Sequence, residues 1–186
     1  MEQLIPHRSV RFFPHWKPDC TAQLTGLIQM TDFILSANPD AAHWIEIGSY
    51  IGESSTIFLA FNRVRKLECV DACDDATRIL KKKFKKEVAS ARCVIHHCDS
   101  DQFAIRVPDA SIDVIYIDGD HTYEQVKKDI YLYHQKLKHD GYLCGHDYSK
   151  SWPGVVQAVD AFAAEHNLDV RLFADTSWVL IPKGVR

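Results

Sequence analysis

Long apolar runs are missing from this sequence. No uninterrupted stretch approaches the ~20 residues that cross a bilayer, and the opening MEQLIPHRSVRFFPHW has no contiguous apolar segment of the secretory kind. The expectation is a cytoplasmic protein with no membrane partner. Close CxxC pairs are missing too: the 6 cysteines, at 20, 69, 73, 93, 98 and 144, are scattered, mostly through apolar runs. That predicts reduced core thiols rather than a structural zinc site. The nearest thing to a metal cluster, Cys69, Cys73, His96, His97 and Cys98, has no diagnostic spacing, so packing is its expected role. A strong charge imbalance is absent as well. A formal charge of -3 gives no global attraction for nucleic acid, and the one basic run, KKKFKKE at 81–87, is expected to be the solvated face of a helix with Leu80, Phe84 and Val88 beneath it. Two nucleotide signatures are also missing, G-x-G-x-x-G and G-K-[ST], which argues against a dinucleotide pyrophosphate site and against nucleoside triphosphate hydrolysis.

What is present suffices for a folded core: 186 residues, 46% hydrophobic, with no internal repeat. Residues 1–17 are irregular, rich in aromatic and basic groups and interrupted by prolines; a helix is expected from about Pro18 to Ser36. Strand-like and helix-like segments then alternate. Strands are predicted at 43–49, 66–72, 92–99, 112–119 and 141–147. Helices are predicted at 53–61, 74–88, 122–138 and about 154–166, with a short helical or loop segment at 100–106. DVRLFA and SWVLIPK close the chain across the short Asp175-Thr176 turn, too tight for a crossover, so they should form an antiparallel hairpin. Five strand–helix units and a hairpin predict an α/β fold with an open, mostly parallel sheet covered on both faces.

In such sheets ligands gather beyond the C-terminal ends of the strands. Here every predicted tip carries an acid: Glu46, Asp71, Asp99, Asp118 with Asp120, and Asp147. The first loop, EIGSYIGESS, has Gly48 and Gly52 four apart, which permits a tight turn or a close backbone approach to a ligand. Asp71, at the tip of the second strand, is placed to accept hydrogen bonds from ribose hydroxyls, favouring a nucleoside-bearing cofactor. Asp99 is either an adenine contact or the cap of the segment that starts at Ser100.

E-I-G-S-Y-I-G at 46–52, Asp71, Asp99, V-P-D-A-S-I-D-V-I-Y-I-D-G at 107–119 and the closing hairpin together resemble a class I S-adenosylmethionine-dependent methyltransferase, over about residues 40–183. The resemblance implies a Rossmann-like seven-stranded sheet of order 3-2-1-4-5-7-6 with strand 7 antiparallel. It implies a methyltransferase domain at 41–186, with residues 1–40 as an N-terminal segment and helix that cover the active site. The cofactor is then S-adenosyl-L-methionine. Glu46, Gly48, Ser49 and Gly52 match the positions around its methionyl part, Asp71 its ribose and Asp99 its adenine, with Tyr50 and Asp118 also expected to bind the cofactor.

I-D-G-D-H-T-Y-E at 117–124, H-D-Y at 146–148 and W-P-G-V-V-Q-A-V-D-A-F at 152–162 are similar to small-molecule O-methyltransferases, including the macrolide-sugar (macrocin-type) methyltransferases and the cephalosporin hydroxylase-like proteins. This implies methylation of a small hydroxylated acceptor, with Mg2+ or another divalent metal at Asp118 and Asp147. His146, Asp120 or water completes the ligand set. Tyr148 stands where the catechol-type pattern has an Asn. His121 falls where that pattern has a catalytic lysine, so His121 is expected as general base, with capping of the following helix and metal ligation as its alternatives. Tyr50, Tyr148 and Trp152 are candidate pocket walls, and His15 and Trp16 candidate parts of a covering segment. So small a chain suits a small acceptor in an open site, or a site completed in a homodimer. The competing readings are an NAD-dependent oxidoreductase, an RNA methyltransferase and a non-catalytic interaction protein with a degenerate cofactor site.

Overall fold

A computed structural model describes residues 21–184. The elements run α1 (Thr21–Ala37), β1 (His43–Ile47), α2 (Glu53–Ala60), β2 (Lys66–Asp71), α3 (Asp74–Lys83), α4 (Lys85–Ala89), β3 (Cys93–His97), α5 (Ser100–Ala104), β4 (Ile112–Ile117), α6 (Tyr123–His134), β5 (Leu137–Gly145), α7 (Pro153–Glu165), β6 (Leu168–Leu172) and β7 (Trp178–Pro182). The strands form one sheet of order β3-β2-β1-β4-β5-β7-β6. β1 to β5 pair in parallel, while β7 runs antiparallel to both β5 and β6. The mostly parallel sheet and closing hairpin are those expected from the alternating pattern, and the strand order is the one the resemblance implies.

β4 occupies the centre because its sequence, IDVIYI, is buried at every position. A strand covered on both faces reads as a nearly continuous apolar run, each apolar side chain contributing about 1.5–3 kcal/mol on burial; the exception, Asp113, accepts from Ala42 N and His43 N and pairs with Lys138. Alternation along β1 feeds both cores. Trp44 joins Phe58, Leu67 and Tyr116 on one face, while Ile45 and Ile47 join Val70, Ile115 and Val126 on the other. Among the described residues no helix is long and apolar enough to cross a membrane.

Two helix boundaries differ from the sequence expectation. The helix expected at 74–88 is split at Phe84, whose φ of -103° and ψ of 31° interrupt it. Phe84 turns inward beneath the first loop, where a Cβ on Gly52 would come within 2.6 Å of its ring. Within the basic run, Lys83 is likewise turned in: its Nζ donates to the carbonyls of Ile51 (3.0 Å) and Gly52 (2.7 Å). Only part of that run is therefore a solvated face, and Val88, expected beneath it, is exposed. The helix expected to reach residue 138 stops at His134, because Leu137 is claimed by the sheet opposite Ile112. Helical spacing placed Leu137 on the α6 face, but pairing with β4 prevails over local periodicity.

Candidate active site

At the C-terminal edge of β1 to β4 lies an open cavity of about 770 Å3, within the usual range for small-molecule sites. Its first wall is the loop after β1. Gly48 has φ 83° and donates its N–H to Val70 O at 2.9 Å. A Cβ there would stand 2.2 Å from Asp118 O, so this position needs glycine both for conformation and for space. Tyr50 follows with φ 43°, strained for a non-glycine residue, and donates its N–H to Asp71 Oδ2 at 2.7 Å. Asp71 Oδ1 accepts from Cys73 N at 2.8 Å. Each carboxylate oxygen keeps a further lone pair for a donor in the cavity.

Gly48, Ser49, Tyr50, Asp71, Asp99 and Asp118 all line the cavity. Glu46 and Gly52 do not: they stand behind its wall. Glu46 is fully buried and accepts short hydrogen bonds from Ser54 and Ser55, tying β1 to the first turn of α2. Burial pushes its carboxyl pKa upward, against those serine hydrogen bonds. Gly52, with φ 75°, is the N-cap of α2 and is packed against Leu80 and Phe84.

Asp99 occupies the N-cap position of α5 yet makes no side-chain cap hydrogen bond, so its carboxylate belongs to the cavity rather than to the helix. Beside it is a polar network that tip-counting missed. Ser100 Oγ donates to Asp129 Oδ1 at 2.6 Å, Gln125 Nε2 donates to the same oxygen at 3.1 Å, and Tyr133 O–H donates to Ser100 O at 2.8 Å. Burial raises the Asp129 pKa to about 6. Asp129 lies inside α6, away from any strand tip, and its only sequence signal was an acid among the apolar positions of that helix.

The opposite end is ionic. His121 Nε2 lies 2.7 Å from Asp147 Oδ2 and 3.8 Å from Asp118 Oδ1. The short contact lacks hydrogen-bond alignment, leaving this buried nitrogen without a well-directed partner. One ligand-type atom from each of Asp118, His121 and Asp147 lies within 4.8 Å of the others, the one such grouping among the described residues. The cysteine–histidine set is dispersed: Cys69 packs against Cys93 in the core, His96 bonds Glu68, and His97 bonds Ala72 O. Asp147, just beyond β5, has φ 59°, a second strained residue at the cavity rim. Trp152 stacks on His121 with centroids 4.3 Å apart, whereas Tyr148 turns away to donate to Asp160. Asp120 Oδ1 accepts from Thr122 N at 2.6 Å and so stabilises the turn into α6.

His146 lines the cavity next to Asp147 and reaches back to the turn between β6 and β7. Its Nδ1 is 3.3 Å from Asp147 Oδ1, and its Nε2 is 3.2 Å from Thr176 Oγ1 and 3.5 Å from Asp175 Oδ2. Burial alone would lower its pKa, but Asp147 and Asp175 together raise it to about 10. Asp118 and Asp147 raise His121 to about 9. Despite partial burial, the two histidines beside it hold Asp147 well below the usual carboxylate range, while burial moves Asp118 upward. With no cation among these groups, that shift favours the imidazolium form of His121, and a general base needs the neutral ring. His15 and Trp16 lie outside the described residues.

A seven-stranded sheet with an antiparallel β7, and a cavity across the tips of its first four strands, define the class I S-adenosylmethionine-dependent methyltransferase fold. The family model described as a methyltransferase domain matches residues 45–148, and the chain belongs to that family. An uncharacterised protein of Acanthamoeba polyphaga mimivirus is 29% identical over 135 residues, covering 68% of this chain and 61% of that protein. This chain therefore spans less than two thirds of that relative's length. Among solved structures, the O-methyltransferase NovP aligns with a TM-score of 0.69 at 15% identity, covering 87% of this chain and 79% of its own. A TDP-rhamnose 3′-O-methyltransferase of calicheamicin biosynthesis aligns with a TM-score of 0.68 at 17% identity, covering 85% and 79%. A Bacillus cereus O-methyltransferase in complex with SAH aligns with a TM-score of 0.67 at 11% identity, covering 90% and 82%. At these identities the likeness is one of fold.

Proposed function

We propose that the protein transfers a methyl group from S-adenosylmethionine to a hydroxyl oxygen of a small acceptor, assisted by a divalent cation. The observation that carries this reading is the Asp118–His121–Asp147 grouping at the rim of a cavity whose other end holds the open carboxylates of Asp71 and Asp99. Both ends fit their groups. Asp71 and Asp99 are acceptors suited to ribose hydroxyls and an adenine amino group, and Gly48 lets the backbone come close to a ligand. Two carboxylates and an imidazole with no aligned partner form a donor set for a divalent ion; the imidazole tilts preference from Mg2+ toward Mn2+, Fe2+ or Zn2+.

When bound, S-adenosylmethionine supplies an electrophilic methyl group, and the cation lowers the pKa of the acceptor hydroxyl. The chain's own residues do the rest. Asp71 fixes the first loop through Tyr50 N while keeping lone pairs for the cofactor. Asp118 and Asp147 offer hard oxygen donors, and His121 must release its proton to join them, which makes loading of the ion proton-linked. Trp152 restricts rotation of His121 by stacking. His121 thus serves as ligand and positioning group. Leu27 of α1 lines the cavity, which supports the reading of the N-terminal region as part of its cover.

Calorimetry tests this directly. S-adenosylhomocysteine and Mn2+ should each bind, NAD should not, and a panel of hydroxylated small molecules should yield an acceptor that is methylated. NAD binding without S-adenosylhomocysteine binding would replace the reading with an oxidoreductase; binding of neither would favour an interaction protein.

A further inference from the structure

Asp175, in the turn between β6 and β7, is a buried acid that the proposed chemistry does not use: its side chain is 4% exposed. Its carboxylate is held firmly. Oδ1 accepts from Ser177 N at 2.7 Å and Oδ2 accepts from Ser177 Oγ at 3.0 Å. From the other side α1 closes over it at Gly26, where a Cβ would fall 2.0 Å from Asp175 Oδ1. Only glycine there lets the helix lie so close.

The same turn reaches the tip of β5 at several points. Asp175 Oδ2 is 3.5 Å from His146 Nε2, and Thr176 Oγ1 is 3.2 Å from that nitrogen. Thr176 Oγ1 also accepts from Asp147 N at 3.2 Å, and Thr176 O accepts from Tyr148 N at 3.0 Å. The opposite face of the His146 ring presents Nδ1 to Asp147 Oδ1 at 3.3 Å. A left-handed Asp147 is costly unless its surroundings over-determine it, and these contacts do so.

We propose that Asp175 is a positioning residue that, through His146, aims Asp147 at the divalent cation, and that Gly26 of α1 sets where Asp175 stands. His146 is then the link behind the ligand set rather than one of its members. An oriented imidazole between two carboxylates is the device by which outer groups commonly fix inner ligands. The inference rests on the metal-assisted reading above.

The test is a double-mutant cycle with Asp175→Asn, His146→Gln and the pair combined. Mn2+ affinity, S-adenosylhomocysteine affinity and the metal-free thermal midpoint are measured for each protein. Each single change is expected to weaken Mn2+ binding by about 10- to 100-fold, while the double variant loses no more than the worse single one. Cofactor affinity is unchanged, which separates lost positioning from misfolding. Gly26→Ala, remote from the cavity's ionic end, weakens Mn2+ binding in the same direction. Wild-type Mn2+ affinity in Asp175→Asn, or losses that multiply in the double variant, would overturn the proposal. If Asp175→Asn fails to fold, His146→Gln and Gly26→Ala carry the same test: weaker Mn2+ binding in both supports the relay, and wild-type binding in both removes it. Should the wild-type protein bind S-adenosylhomocysteine but no Mn2+, the metal reading falls on that result alone, and the aiming of Asp147 at a cation falls with it. The Asp175–His146 link is then read from thermal midpoints, where additive losses refute it and non-additive losses retain it.

Discussion

Asp71 and Asp147 stand on the same edge of one sheet, but different forces hold their carboxylates. Both oxygens of Asp71 accept backbone N–H groups from neighbouring loops, an arrangement fixed by chain geometry. Asp147 is held by two histidines, an arrangement fixed by charge. The first end of the cavity is thus preformed for a ligand. The second is an ion cluster closed on itself, and it must exchange a proton for a cation before taking up its proposed role. Preorganisation and charge storage have been divided between the two ends.

The largest expected effect comes from the charged end. Asp147→Asn should reduce Mn2+ affinity by more than about 100-fold, beyond the range of an outer-shell change, with S-adenosylhomocysteine affinity unchanged in the same calorimetric series. Asp71→Ala should do the reverse: loss of charge-assisted hydrogen bonds worth about 1.5–3 kcal/mol predicts a cofactor affinity about 10- to 100-fold lower, with Mn2+ binding retained. Equal losses of both ligands in either variant would erase the distinction between the ends. Trp152→Ala should lower Mn2+ affinity by about 2- to 10-fold, the value of one stacking contact; a cofactor effect of the same size would move Trp152 to the other end.

The smallest effect is on stability alone. Burial raises Asp129 from 3.8 to about 6, so the folded state binds a proton here more tightly than the unfolded chain does. Its contribution is fully present below about pH 4 and is lost as pH rises through about 6. Subtracting the pH–melting curve of Asp129→Asn from that of the wild type should expose a decline over that window; a flat difference would show that this carboxyl titrates normally.

Much of this was legible in the chain because period-two and longer apolar repeats report burial directly. The mostly parallel sheet, the closing antiparallel hairpin and the convergence of Asp71, Asp99 and Asp118 on one cavity followed from alternation and from the acids at strand tips, whereas the strand order came from the methyltransferase resemblance. Three features escaped because they depend on contacts distant in sequence. Phe84 broke a helix to fill space beneath Gly52, and Leu137 left helical register to pair with Ile112. Asp129 turned toward Ser100 across two helices. Glu46 looked like a cavity acid because it ends a strand, but strand alternation aimed it at Ser54 and Ser55. The state of His121 was similarly hidden: its spacing from Asp118 was visible, whereas the Asp147 contact that makes it cationic required the fold.

The missing side chain at Gly48 also constrains motion. A Cβ on Gly48 would collide with Asp118 O and Gly119, so the loop after β1 lies directly against the end of β4, and the parallel pairing of the two strands ties them together. The floor of the cavity therefore behaves as one rigid casting. Any opening and closing during turnover falls to the parts that rest on it, α1 near Leu27 and the loop at Trp152. Those are also the places where the shape of the proposed acceptor pocket could be altered without disturbing the proposed seat of the cofactor.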